Sequence, residues 1–468
     1  MIAKHHIKRH RQLVMGTRKS LLQRHRGKLI FSTAFAATLF TTGFVGLLLI
    51  KRWLYKQQLK ITEQHFVKEQ IKRRFTQTQQ DSLYTIYELV PVLTLVLSKE
   101  LDVDQIVASL KGKKLSKKLS RGISVNENET DGLSSGMSTS VTEQASTPIL
   151  QNNLQGKSKA ELWNELKLKS LTKLCTIVYT VSSLLLLTRL QLNILARREY
   201  LDTAIKVAVE KESVSSSSLL SWITSFWKDS AQNAESEERK EKEQDTGTLN
   251  ERSKTSYINE QAFLSLSWWL LNRGWLQFKS LVEKQISLQF NDLNPRDTLS
   301  LDEFGEKLSH VFHAVNQELF TQTESQQFLH KILLPEPNLE QFVLQQTLDP
   351  EALKLLYDDN SVLRDLLNET TKCVQSTASL IVLESLVNDA FQYTMTQIDG
   401  SISKKNKSSS DEEVSKFQVA LYSVTCKDCC NEMLKSGVVS MNNEFLQHLD
   451  AVAELDDLSA SVYSNFGF

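Results

Sequence analysis

Between Leu29 and Ile50 the chain reads LIFSTAFAATLFTTGFVGLLLI, 22 residues without a charge. About 20 apolar residues at a helical rise of 1.5 Å cross a hydrocarbon core of roughly 30 Å, so this run is long enough for a transmembrane helix. A signal peptide also places a basic region before an apolar run. This run is longer than an ordinary signal core, no A-x-A-like site follows it, and Lys51-Arg52-Trp53 has the character of an interfacial anchor. The expectation is one permanent span at 29–50, with 1–28 as a basic tail and 51–468 as the large domain. Residues 1–28 hold nine Lys/Arg and no acid, and residues 51–74 hold eight against Glu63 and Glu69. Charge bias therefore does not choose the orientation. The five cysteines, sparse and odd in number, do not resemble a secreted disulfide framework, and with the lack of secretory features over the remaining 400-odd residues they put the large domain in the reducing cytosol.

A second apolar stretch, Leu174–Thr188, covers only 15 residues before Arg189. It is short for a span and reads as a helix buried on most faces inside a soluble core. Fifteen Gly and six Pro in 468 residues leave few chain breakers, which favours long helices. Helical patterning runs over 51–90, where Pro91 predicts a kink or boundary, and resumes to about Leu110. It returns over 160–209 and over 257–282, the latter carrying Trp268, Trp269 and Trp275. Leu219, Trp222, Ile223 and Phe226 predict a short amphipathic helix. Further helices are expected near 299–333, 349–359, 361–398 and 411–436, interrupted at Pro335 and Pro337. Polar stretches near 112–158, 229–255 and 401–413 read as disordered loops, because such composition buries too little apolar surface to offset chain entropy. No convincing period-two strand is present. The fold class is all-α: a single N-terminal transmembrane helix followed by one cytosolic helical bundle.

Lys plus Arg number 55 and Asp plus Glu number 55, so no global basic field points to nucleic acid. The phosphate-binding, nucleophile-elbow and H-E-x-x-H patterns are all missing, and no catalytic residue or cofactor is assigned. Cys426, Cys429 and Cys430 come nearest to a metal motif. A zinc site needs about four ligands, and His448 stands alone nearby. The thiols read instead as small buried side chains on a helix, and no metal is assigned.

Several strings resemble the peroxin-3 family of peroxisome biogenesis factors, most closely its budding-yeast members. They are LLQRHRGK before the apolar run and KRWLYKQQLKITEQHF after it, LWNEL at 162–166, YTVSSLLLLTRLQLNILARREYLD at 179–202, YINEQAFLSLSWWLLNRGWL at 257–276, PRDTLSLDEF at 295–304, IVLESLVNDAF at 381–391 and LDDLSASVYSNFG at 455–467. The resemblance implies a helical bundle around a long central helix, matched here by Leu166–Tyr200. It implies a peroxisomal membrane protein that docks peroxin-19, the chaperone of new peroxisomal membrane proteins, and that also recruits inheritance and autophagy adaptors. It implies no enzymatic activity. The family's docking groove matches Trp163, Leu166, Lys159, Leu110 and Lys111. Spacing alone would make Leu162, Trp163 and Leu166 core-facing; an amphipathic partner helix needs an apolar trough with cationic rims, which suits the groove. A structural membrane tether would want sustained heptads, which are missing, and a membrane enzyme would want convergent polar groups.

Replacing residues 120–150 by a short Gly/Ser linker should leave the fold intact, since closure entropy changes slowly with loop length. Circular dichroism and thermal melting check this; a large loss of helix would show that the segment is structured.

Overall fold

The computed structural model describes residues 51–52, 65, 68–121, 156–213, 246–321, 324–405, 416–435 and 442–465, with backbone alone at 115–121, 207–213, 246–253 and 405. The chain divides into two compact units, Met1–Arg74 and Phe75–Phe468. The described residues of the first are helical. The expected span at 29–50, the tail at 1–28 and the amphipathic segment at 219–226 lie outside the described residues.

The second unit is all-α around one long helix. Helix α1, Lys68–Glu100, enters it, and α2 follows at Val103–Arg121. The central helix α3 spans Lys159–Ser213 and contains the expected Leu166–Tyr200. Every residue from Ser170 to Gln191 is buried, so the second apolar stretch is indeed a core helix. After α4, Thr246–Ser265, a short turn and a π-helical turn at Leu270–Gly274 lead into α5, Trp275–Phe290. Gly274 is required there, because a Cβ would lie 2.0 Å from the carbonyl oxygen of Ile332. Then come α6 (Leu301–Phe320), α7 (Ser325–Leu333), α8 (Pro337–Thr347), α9 (Pro350–Asp358), α10 (Ser361–Val374) and α11 (Thr377–Lys405). The last three are α12 (Val419–Met433), α13 (Glu444–Asp450) and α14 (Ala453–Ser464). Helix α3 packs against α2, α5, α10, α11, α12 and α14.

Several local expectations are corrected. Pro91 sits inside α1 and is not its boundary. Burial of Ile86, Tyr87, Val90, Leu93 and Leu97 around it offsets the roughly 3 kcal/mol that an interior proline costs. Helix α2 continues through 112–121, where Lys, Leu and Arg are good helix formers despite the loop-like polarity. Likewise α4 reaches back to Thr246 and α11 forward to Lys405, because extending a formed helix avoids the cost of a new nucleus. The rest of those three segments lies outside the described residues. The helical stretch is interrupted as expected, with Pro335 in the break between α7 and α8, and Pro337 starts α8 at the position where a missing N–H costs nothing. Residues Thr298–Ser300 and Lys416–Gln418 pair as two antiparallel strands, too short to show a period of two. Ser300 ends the first strand and caps α6 in a reciprocal box with Glu303.

On a helix buried on all sides, the long polar side chains are answered by protein, whereas the hydroxyls of Thr176, Ser182 and Ser183 find no partner. Arg189, 2% exposed, pairs with Asp450 and lies 3.6 Å from Asp456. Arg197 donates to the carbonyls of Val462 at 3.0 Å and Asn465 at 2.8 Å, and pairs with Glu369. Gln191 donates to the Phe263 carbonyl at 2.9 Å, and Tyr179 to Asn316 at 2.7 Å. Lys167 donates to the Phe290 carbonyl at 2.6 Å and to that of Leu293, closing the end of α5. Cys426, Cys429 and Cys430 are buried on α12, as expected of core thiols. Burial pushes the Cys430 thiol up to about 12 and Cys426 well above the ordinary thiol range, which keeps both unreactive.

Arg189→Ala should destabilise the protein by about 3–5 kcal/mol, because it strips the partner from Asp450 and empties a packed site. Arg189→Met keeps most of the stem volume and should lose less. Urea denaturation followed by circular dichroism checks both; equal and small losses would mean that the pair contributes little.

Candidate functional site

Helix α2 and the first turns of α3 form an apolar cluster separate from the main core. On α2, Val103, Ile106 and Leu110 recur at i, i+3 and i+7 and so share one face. On α3, Leu162 and Leu166 do the same at i and i+4. All five are buried, Leu110 being the most accessible at 7%. Burying side chains of this size gains about 1.5–3 kcal/mol each before chain ordering is counted. That suffices to seat one helix on another. Val107, Trp163 and Val424 are half-buried and pack at the border of the cluster.

Both helix starts are capped. The Asp102 carboxylate accepts from the Gln105 N–H at 2.8 Å. Ser158 and Glu161 form a reciprocal box, with the Ser158 hydroxyl accepting from Glu161 N–H at 3.2 Å and the Glu161 carboxylate accepting from Ser158 N–H at 2.7 Å. Ion pairs brace the rest: Lys157 to Glu165 at 2.7 Å, Lys169 to Glu165 at 3.0 Å, and Lys427 of α12 to Asp104 at 3.0 Å. Partial burial works to raise the Glu165 carboxyl, but hydrogen bonds from Lys157 and Lys169 outweigh it and leave the group below the usual carboxylate range. The Lys113 ammonium donates to the Lys157 carbonyl, so the C-terminal half of α2 lies beside the start of α3.

The five residues expected to form the groove therefore come to one place, although 48 positions separate Leu110 from Lys159 in sequence (159 less 110, less one). They do not play one part. Leu110 and Leu166 lie within the cluster, Trp163 is half-buried at its border, and Lys111 and Lys159 are exposed. Sequence reasoning left out Val103, Ile106 and Val107, whose spacing on α2 was readable. It also left out Val424 and Lys427, which arrive from a helix over 250 positions away and give no local signal. Chemically the site offers an apolar ledge with an aromatic edge and ammonium groups, suited to non-covalent docking of a helix. Among the described residues no group of three or more His, Cys, Asp or Glu is placed to hold a metal ion.

The Peroxin-3 family model matches residues 20–465 of this chain. A peroxisomal biogenesis factor 3 of Kluyveromyces lactis is 52% identical, covering 96% of this chain and 99% of the relative. That of Saccharomyces cerevisiae is 47% identical, covering 96% of each. A peroxisomal membrane protein PEX3 of Komagataella phaffii is 28% identical over 95% of this chain and 98% of its own length. The match spans both the apolar N-terminal run and the helical unit, at identities well above chance over nearly full length, and the chain belongs to the Peroxin-3 family.

Proposed function

We propose that this chain is a peroxisome biogenesis factor of the peroxisomal membrane: an anchored docking receptor for peroxin-19. Residues 1–28 form a luminal tail, 29–50 the single span, and 51–468 a cytosolic domain. The relatives' names supply the organelle, and the 22-residue uncharged run supplies the anchor. One observation carries the docking role. Trp163 stands half-buried at the edge of a small, preformed two-helix cluster outside the main core. A Trp so placed offers a large apolar face at little ordering cost, which is the usual make-up of an interface hot spot. Leu162, Leu166 and Leu110 belong to the cluster it packs against, Lys159 lies exposed one turn before it on α3, and Lys111 is exposed on α2. The role needs no reaction and no cofactor. Inheritance and autophagy adaptors would use the same anchored domain as a platform.

Trp163→Ala should weaken peroxin-19 binding by about 2–4 kcal/mol, or roughly 30- to 1,000-fold, with little loss of stability. A tryptophan of the core would instead cost about 3–5 kcal/mol of folding free energy. Binding and melting measured on one purified variant separate the two; a well-folded variant that binds normally removes Trp163 from the groove.

Deleting residues 1–50 should give a protein released by carbonate extraction. The long apolar stretch of α3 is wholly buried within the helical unit and has no face to offer lipid. Retention in the membrane pellet would show a second anchoring segment and overturn the single-pass topology.

A further inference from the structure

At the far end of the central helix, α3 and α4 lie side by side, later residues of one facing earlier residues of the other. Gln191 of α3 donates to the Phe263 carbonyl of α4 at 2.9 Å, and Glu260 stands beside Arg198 and Asp202. Half-burial raises the Glu260 carboxyl above the usual carboxylate range; the Ser256 hydroxyl and Arg198 oppose this, and Glu199 and Asp202 add to it. Beyond this meeting point both helices run on, α3 forward to Ser213 and α4 back to Thr246.

There the cover stops while the apolar pattern does not. On α3, Leu201 is half-buried and Ala204 and Ile205 are exposed, at i, i+3 and i+4 on one face. Arg198 and Asp202 precede Ile205 at helical spacing on the same side, so this is the face that α3 turns toward α4. On α4, Tyr257 lies one turn before Glu260 on the face turned to α3. Ile205 is 59% exposed and Tyr257 66%. A single apolar side chain in water needs no explanation. These two stand along one seam, on the helix ends that lead into and out of the same connection.

That connection carries the counterpart. Residues 213–227 hold no charge, and Leu219, Trp222, Ile223 and Phe226 recur at i, i+3, i+4 and i+7, the spacing of an apolar helix face. The reach is sufficient on both sides. From Ile205 to Ser213 the helix rises about 12 Å, and from Ser213 to Leu219 the chain stretches up to about 20 Å. Leu219 can therefore come back level with Ile205. From Phe226 to Thr246 the chain stretches up to about 65 Å, well beyond the ~16 Å that α4 rises between Thr246 and Tyr257. A tether this short holds the segment before its own helices at an effective concentration on the order of millimolar, which a separate partner would have to exceed.

We infer that the α3–α4 seam at Leu201, Ala204, Ile205 and Tyr257 is the docking surface of this chain's own residues 219–226. The segment lies on it as an amphipathic helix, with Leu219, Trp222, Ile223 and Phe226 as anchors. An uncharged stretch thus meets an apolar stripe, and the two tryptophan and phenylalanine rings supply most of the contact area. Any other occupant of the seam has first to displace it.

Two measurements on the full chain in neutral-lipid nanodiscs test this. In the first, the cysteine pairs I205C/I223C and Y257C/I223C are oxidised mildly and the bridges mapped by mass spectrometry. At least one pair should close within a single chain. Bridges only between two copies would make the seam a self-association surface and overturn the inference, as would no bridge in either pair. In the second, amide hydrogen exchange is followed over 219–226. Exchange in the unmodified chain should be slowed at least about tenfold relative to an unstructured peptide. The variant I205D/Y257D, altered only at exposed positions, and the variant W222S/F226S should both lose that protection, with exchange across α5 unchanged. No protection in the unmodified chain overturns the inference. So does protection that survives I205D/Y257D, which would seat the segment on another surface such as the lipid.

Discussion

The all-round burial of α3 from Ser170 to Gln191 is the constraint on which the rest of the second unit depends. A helix with no solvent face cannot rely on water to satisfy any polar side chain, so each one either finds a partner or costs free energy. Thr180 and Thr188 turn their hydroxyls back to carbonyls one turn earlier, at 2.7 and 2.8 Å. The longer side chains reach outward and tie down surrounding elements: Lys167 the end of α5, Gln191 the end of α4, Arg189 the α13–α14 corner, and Arg197 both α10 and α14. Ser182 and Ser183 are fully buried with no hydrogen-bond partner, and their small size keeps that cost low. The chain's final helices are thereby fixed to its middle by polar contacts as well as by apolar packing.

The same helix explains why a second, smaller apolar cluster can exist beside a large core. Helix α3 begins at Lys159, a dozen residues before the main core closes around it. That end packs against α2, with Val424 of α12 at the border of the cluster. A helix seated on five apolar side chains leaves its border residues half-covered. Trp163 is one of these, and its accessibility follows from the small size of the cluster beneath it.

Much of the second unit was legible in the sequence, and the misreadings share a cause. The apolar stretch at 174–188 was a buried helix, as its shortness suggested, although the helix that holds it is long and apolar enough to cross a membrane and only its complete burial makes it a core element. The cysteine trio was a set of core thiols because no further ligands stood near it. Errors came where one residue or a local polarity was allowed to decide. Pro91 lies inside a helix held by packing, and the lysine-rich start of 112–158 continues one. Composition reports what a segment can bury; propensity and packing decide how far a helix already nucleated will run. The short strands at 298–300 and 416–418 exist only because two distant segments meet, which no local pattern could disclose.

By itself the sequence determined the fold class, the apolar run at 29–50, the central helix and the family, since each rests on periodicity, length or residue identity along the chain. It also pointed to five candidate groove residues, but could not say where each one sits. Leu110 and Leu166 lie beneath the ledge, Trp163 at its edge, and Lys111 and Lys159 beyond it, because of where α2 is laid on α3 and where Val424 closes the side. Helical period tells which residues share a face; only the tertiary structure decides what is packed onto that face.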